Sequence, residues 1–413
     1  MDSKFSLEAD LGYEESLAGY RPLTYLQPIC SVKTRTVAGV EALARGVDAD
    51  GALVLPDRLF PAVAELGMAE PWEMACRERA LATFSSVAEQ SDALLLFVNL
   101  DLAVSDGRDD MHHLREAARR WSVSPSRVVV EVLESRFDDT QQLAAILSCF
   151  RAQGFLLALD DVGAGHSNLD RIPLIRPDVL KVDRDLVKKL DADLYKQDVF
   201  QALVDVGRRI GALIVAEGVE TEPEALMALE LGADFLQGYL ISRPQPAESL
   251  FFSHAKTAVE SLAGQFKRHM VHKTSQRRLQ HRQYNVLLNT LLCDLTCSPS
   301  ADFGAVLEQA VQRFPAIECV YVLDETGFQV SDTVCRRDCR DGRNRNMFRP
   351  APRGADHSLK EYYYMLLDAE LQKYTTDPYV SLATGNLCQT ISTCFRDSFK
   401  NRLYVLCVDV KST

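Results

Sequence analysis

Two adjacent carboxylates, Asp160 and Asp161, end the apolar run Leu156-Leu157-Ala158-Leu159, and Gly163 and Gly165 follow them. Ionised acids side by side repel unless a cation or a hydrogen-bond donor lies between them. Aspartate is also an ordinary N-cap and turn residue, so the pair alone decides nothing. The same arrangement recurs through the first half of the chain. Glu41 follows Val37–Val40, Asn99 follows Leu94–Val98, and Glu131 lies in Val128–Val132 with Glu134 just beyond. Lys181 and Asp183 belong to Val179–Val182 and its end, Glu217 and Glu220 follow Leu213–Ala216, and Gln237 lies in Phe235–Leu240. An all-oxygen donor set suits a hard divalent ion, Mg²⁺ or Mn²⁺. No histidine ends such a run, which disfavours zinc. Asp160 and Asp161 can each face a different ion, and two neighbouring ions suit phosphoryl transfer to water. Arg45 and Lys181 add positive charge for phosphate oxygens or the attacking water.

These residues need a scaffold that brings strand ends together. The apolar runs, with Thr24–Ile29 as the first, number eight over about 220 residues. Their near-continuous apolar composition suits parallel strands covered on both faces. Amphipathic stretches separate them: Pro56–Gly67, Pro71–Ala88, Met111–Trp121, Thr140–Gly154, Gln197–Gly211 and Glu222–Gly232. The spacing predicts an α/β fold, a (β/α)8 TIM-type barrel with its catalytic face at the carboxyl ends of the strands. A doubly wound sheet is the alternative, but no glycine-rich dinucleotide turn follows the first run. One buried glutamate reads as a satisfied structural residue; five carboxylates and an amide at one mouth are costly unless a cation is shared.

The chain has 413 residues and a net charge of −12, from 46 basic and 58 acidic side chains. That balance argues against a nucleic-acid polymer as partner, though not against a small anion. No apolar run approaches the roughly 20 residues of a membrane span, and no signal peptide is read at the N-terminus, so the expected location is cytoplasmic. The 11 cysteines are expected as free thiols; Cys335 and Cys339 could suggest a metal or redox site, but no second pair with ligand spacing accompanies them. The expected organisation is an extension at 1–20, a barrel at 21–248, a helical linker at 249–294 and a small α+β domain at 295–413. From Lys267 to Arg282 the linker carries six Lys/Arg and three His, with no acid between Glu260 and Asp294. That stretch reads as a solvated helix face, a helix pairing in a dimer, or a surface for an acidic partner. In the last domain the pattern predicts a helix over Phe303–Phe314, a hairpin from Glu318–Leu323 into Phe328–Val330, a helix over Leu359–Lys373, and strands at Pro378–Leu382, Cys388–Phe395 and Leu403–Val410.

Taken in order, Gln27-Pro28-Ile29, Glu41-Ala42-Leu43-Ala44-Arg45, Asn99, Glu131 with Glu134, Asp160-Asp161-Val162-Gly163-Ala164-Gly165, Lys181 with Asp183, Glu217 with Glu220, and Gln237-Gly238-Tyr239 resemble the EAL family of cyclic di-GMP phosphodiesterases. The likeness covers roughly Tyr20 to Pro246. It implies a TIM-type barrel with an antiparallel first strand and hydrolysis of cyclic di-GMP to linear pGpG with two Mg²⁺ or Mn²⁺ ions. It implies Glu41, Asn99, Glu131 and Asp160 as ligands of one ion, and Asp160, Asp161 and Glu217 as ligands of the other. Lys181 would position the water, while Gln27, Leu43 and Arg45 would contact substrate and Gln237 would support the site. Glu134 would anchor the loop after strand five at a homodimer interface. Many relatives lose these acids and become receptors; here all are present. The departures are Val162 for Phe, His166 for Tyr and Asn168 for Ser, and they keep a receptor with little turnover as the alternative. The last domain resembles PAS-like or Cache-like sensor modules through Tyr321–Phe328 and Asp377–Ser381, with Arg349, Tyr363, Asp377 and Tyr379 as candidates to line a small-ligand pocket. A plain dimerisation module is the other reading of that domain.

Overall fold

A computed structural model describes residues 17–88, 93–101, 108–132, 140–164, 170–247, 251–336 and 347–411. Glu134, Gly165, His166, Asn168 and Cys339 lie outside the described residues. The chain divides into two compact units, Met1–His272 and Lys273–Thr413.

In the first unit β1 (Arg21–Ser31) and β2 (Thr36–Val47) are joined by a four-residue turn, which forces them antiparallel. Strand β3 (Leu53–Val54) adds to the far end of β2. Helices α1 (Pro56–Glu65) and α2 (Ala69–Ala88) lead to β4 (Leu95–Leu100), and α3 (Arg108–Arg120) leads to β5 (Val128–Val132). There follow α4 (Thr140–Ala152), β6 (Leu156–Val162), α5 (Ile172–Ile175), β7 (Val179–Val182), α6 (Arg184–Val187), α7 (Leu194–Ile210), β8 (Leu213–Ala216), α8 (Glu222–Leu231) and β9 (Phe235–Leu236). The sheet order β1-β9-β8-β7-β6-β5-β4-β2 returns from β2 to β1 and closes an eight-stranded barrel. Strand β1 is antiparallel to both neighbours; the other barrel pairs are parallel, as helical crossovers require. The (β/α)8 barrel with an inverted first strand is therefore the fold.

Alternation along the strands builds two apolar layers. Residues such as Leu96, Val98, Val130, Leu157, Leu180 and Ile214 point outward under the helices. Ile29, Phe97, Val129, Ala158, Val179 and Val215 fill the barrel interior. Gly39 makes room for that filling, since a Cβ there would lie 2.7 Å from the Phe97 ring.

Helix α9 (Phe251–Thr296) contains the division between the units. Its Ala255, Val259, Leu262 and Ala263 recur at helical spacing and are buried in the first unit; Leu287, Leu288, Leu291 and Leu295 are buried in the second. The second unit continues with α10 (Phe303–Arg313), β10 (Ile317–Asp324), β11 (Val334–Cys335), α11 (Glu361–Leu367), β12 (Lys373–Thr375), β13 (Tyr379–Val380), β14 (Leu387–Arg396) and β15 (Leu403–Lys411). The sheet runs β11-β10-β15-β14-β12, with β13 beside β14, and all pairs are antiparallel.

Three expectations are corrected here. Cys319 and Cys335 are not free thiols: they sit opposite each other on β10 and β11, Cα atoms 4.2 Å apart, and form a disulfide. The helix expected over Leu359–Lys373 stops at Leu367, since Glu370 takes a left-handed φ of 52° and Lys373 opens a strand. The hairpin into Phe328–Val330 forms only as a short one: Gln329 bridges Leu323, Asp324 N donates to the Phe328 carbonyl and Val330 N to the Val322 carbonyl, while β11 pairs with β10 farther back, at Cys319 and Val320.

Candidate active site

The interior of the barrel changes character two residues along each strand. Phe97 is followed on the same face by Asn99, Val129 by Glu131, Ala158 by Asp160, Val179 by Lys181, Val215 by Glu217 and Phe235 by Gln237. Gly39 leads to Glu41 in β2, and Ile29 to Gln27 in the inverted β1. An apolar plug thus supports a polar layer at the carboxyl end of the parallel strands. This step is a sequence signal that reading only the ends of the runs misses.

Lys181 stands at the centre, 1% exposed, as the strongest convergence of charge in the barrel. Its Nζ lies 2.5 Å from Glu131, 2.7 Å from Glu217, 3.2 Å from Asp160 and 3.5 Å from Glu41. Burial pulls its pKa down, but Asp160, Glu131, Glu217 and Glu41 together raise it well above the ordinary lysine value. Burial lifts the Glu131 carboxyl well above the carboxylate range, with Glu41 adding and Lys181 opposing. Burial does the same for Glu217 against the opposing charge of Lys181. Glu131 is fully buried, and its Oε2 has no hydrogen-bond partner.

Glu41 is steered by amides on either side. Gln237 Nε2 donates to Glu41 Oε2 at 2.5 Å and to Gln27 Oε1 at 3.1 Å, and Asn99 Nδ2 donates to Glu41 Oε1 at 3.4 Å. Gln27 Nε2 in turn donates to the Ser242 carbonyl at 3.1 Å. Arg45, also buried, donates to the Ala44 carbonyl and lies 5.3 Å from the centre of the Tyr25 ring.

Consecutive strand residues face opposite ways, so Asp160 and Asp161 would normally diverge. The β6–β7 register shifts between Leu159 and Val162, and Asp161 takes a φ of 55°. That bulge turns both side chains to one side. Carboxylate oxygens of Asp160, Asp161 and Glu217 lie within 4.8 Å of one another, a grouping fit to hold a metal ion. Burial, then Asp160, pushes the Asp161 carboxyl up to about 6. Three acids around one point and an orphan oxygen on Glu131 fit a hard divalent cation better than they fit each other.

Asp183 and Glu220 do not join the cluster. Asp183 caps α6 by accepting from Asp185 N, and Glu220 pairs with Arg184 at 2.6 Å on the surface. Beside the mouth lies a cavity of about 610 Å³ walled by Leu43, Ala44, Asn99, Phe60, Pro61 and Glu73. The α1 and α2 contribution to it was not foreseen from sequence. Glu73 is pushed to about 7 by burial, against Arg77. In the second unit Arg349 and Asp377 are exposed, the Tyr363 hydroxyl donates to the Glu325 carbonyl, and the Tyr379 hydroxyl is 2.5 Å from Thr390 Oγ1.

With this geometry in hand, comparison places the chain among known proteins. The model of the EAL domain matches residues 14–244, and the chain belongs to that family. The probable cyclic di-GMP phosphodiesterase PdeB of Escherichia coli is 29% identical over 224 residues, 54% of this chain and 43% of its own length, so this chain spans less than half of that relative. The EAL-domain containing protein YkuI of Bacillus subtilis is 25% identical over 382 residues, covering 90% of both chains. The crystal structure of YkuI, in complex with c-di-GMP and calcium, superposes with a TM-score of 0.76 over 95% of this chain and 96% of its own, at 24% identity, which shows a shared fold for both units. The phosphodiesterase of MucR, in its c-di-GMP complex, covers 55% of this chain and 94% of its own at 30% identity, with a TM-score of 0.51. Among the described residues no helix is long and apolar enough to cross a membrane.

Proposed function

We propose that this chain is a metal-dependent phosphodiesterase that hydrolyses cyclic di-GMP to linear pGpG. The observation that carries the reading is the complete polar layer: four carboxylates around Lys181, with Asp161 turned in beside Asp160 and Glu217. Glu41, Asn99, Glu131 and Asp160 would hold one Mg²⁺ or Mn²⁺ ion, and Asp160, Asp161 and Glu217 a second. Such ions supply Lewis acidity toward a phosphate oxygen and a water of lowered pKa. Lys181 holds and orients the attacking water and keeps the acids from repelling one another. Arg45, Leu43 and Gln27 meet the substrate, and Gln237 fixes Glu41. In the reaction a water oxygen bonds to phosphorus, the bond from phosphorus to one ribose 3′ oxygen breaks, and that oxygen takes up a proton.

The family match and the cyclic di-GMP complexes of YkuI and MucR support this substrate. The same reading makes the protein a cytoplasmic homodimer, coupled through Glu134 and regulated through a PAS-like or Cache-like second unit. Incubating the full chain with cyclic di-GMP and Mg²⁺ or Mn²⁺, with chromatography for pGpG, is the test. Absence of pGpG with either ion overturns the reading. Tight binding in EDTA without turnover would establish the receptor alternative, which the buried Val162 in place of a phenylalanine favours.

A further inference from the structure

The basic stretch of α9 has no part in the barrel chemistry, yet its second half borders a cavity of about 570 Å³ within the second unit. Pockets for small organic ligands span roughly 300–1,000 Å³. One wall is a single stripe of the helix: Lys273, Gln276, Arg277, Gln280, His281 and Tyr284 recur every three or four residues. The facing wall comes from the sheet about a hundred residues later in the chain, as roughly the separation Lys273 to Lys373 spans. Lys373 and Thr375 stand on β12, opposite Thr393 and Ile391, and Gln389 pairs with Val410 in the next strands. Three cations and a histidine therefore converge from two elements that only the tertiary fold brings together.

Among the described residues no carboxylate lines this cavity. Lys373 Nζ spends one hydrogen bond on Asn285 Oδ1 at 2.9 Å, a neutral acceptor, which leaves its charge uncompensated there. Partial burial holds the Lys373 ammonium below its ordinary pKa, and partial burial with the nearby Arg277 does the same for Lys273. The Lys373 ammonium, bonded only to a neutral acceptor among the described residues, gains when an anion arrives. The floor is different in kind: Ile391 and Val410 are buried and apolar, and Pro378 and the Tyr284 ring flank them. Cations on both walls around an apolar floor match a molecule that carries phosphates beside a flat ring. The cavity of about 570 Å³ suits a small molecule and not a polymer.

We propose that the cavity between the Lys273–Tyr284 face of α9 and strands β12, β14 and β15 is a binding site for a phosphorylated, nucleotide-sized small molecule. Lys273, Arg277, His281 and Lys373 take the phosphates, while Tyr284, Ile391 and Val410 take the ring. This site is separate from the barrel mouth and does not depend on how the barrel acts.

The test is calorimetric titration of the full chain with GTP and with inorganic tripolyphosphate, in EDTA so that no bound cation draws the probes to the barrel. The expected result is one saturable site per chain for GTP, weaker for tripolyphosphate, and weakening as salt rises. The double variant Arg277→Gln, Lys373→Gln removes two charge-assisted contacts and is expected to weaken GTP binding by at least about tenfold. Both positions are exposed, and thermal unfolding of the variant checks that it still folds. Glu41→Gln, in the barrel, is expected to leave this binding unchanged. No saturable binding of either probe, binding untouched by the double variant, or binding lost in Glu41→Gln would each overturn the proposal. GTP binding no tighter than tripolyphosphate would overturn the ring-binding half of it.

Discussion

The two units bury acids in opposite ways. At the barrel mouth Glu41, Glu131, Asp160 and Glu217 are balanced by a charge, the Lys181 ammonium, and one oxygen of Glu131 is left without a hydrogen-bond partner. In the second unit Asp409 and Glu318 are buried on a sheet with neutral donors instead. Thr390 Oγ1 donates to Asp409 at 2.7 Å, and Thr384 Oγ1 and Asn386 Nδ2 donate to Glu318. Compensation by charge holds the acids beside a cation whose place a metal ion can take. On the sheet no cation opposes burial: burial first, with Glu318 adding, raises Asp409 to about 7 against its hydrogen bonds from Thr390 and Tyr379. The first arrangement is poised for ligation; the second closes a core.

The largest expected effect tests whether the barrel cluster is for catalysis. Glu41→Ala is expected to lower kcat/KM for cyclic di-GMP by on the order of a thousandfold or more, since it takes a ligand from the proposed metal centre. Activity within a few-fold of wild type would refute that role. Next comes the balance of charge itself. Lys181→Met leaves four acids facing one another, and urea denaturation in EDTA is expected to show a loss of about 3–5 kcal/mol. Millimolar Mg²⁺ should restore part of it, because a divalent ion can take over the ammonium's place; an unchanged midpoint would mean that Lys181 does not hold the acids together.

A smaller effect separates the second unit from the first. Between the ordinary aspartate value of 3.8 and about 7, folded Asp409 keeps a proton that the unfolded chain has released. Its contribution is therefore complete below that window, is lost as pH rises through it, and is level above it. Asp409→Asn should flatten this fall; thermal melts of the full chain and the variant across the window give the comparison, and parallel curves would break it. The smallest change in stability concerns the bulge. Asp161→Gly suits the left-handed φ of 55°. It is expected to leave stability within about 1 kcal/mol while removing hydrolysis, so that strain and ligation are read apart. Retained hydrolysis would take Asp161 out of the site.

Much of the barrel was legible in the chain because periodicity is local. Apolar runs of four to six residues and helical stripes between them follow from backbone geometry that each segment carries alone. The donor chemistry was equally plain: acids and amides at Glu41, Asn99, Glu131, Asp160, Glu217 and Gln237, without histidine, specify a hard cation before any fold is known. The second unit was read less well where short strands and turns compete. Leu359–Lys373 has helical spacing throughout, but its last residue, Lys373, pairs with Thr393 of β14, a partner that propensity within the segment does not register.

Sequence by itself determined which residues could do chemistry and that they end strands. Tertiary structure decided which of them meet. Closure of eight strands brings Glu41 and Glu217 to one ammonium, although 176 residues separate them (217 − 41). A register shift turns Asp161 to the side of Asp160, Asp183 is spent on a helix cap, and strand pairing sets Cys319 opposite Cys335. Local spacing is set by the dihedral preferences of a few residues, whereas register and closure satisfy all strands at once, and no single segment contains that condition.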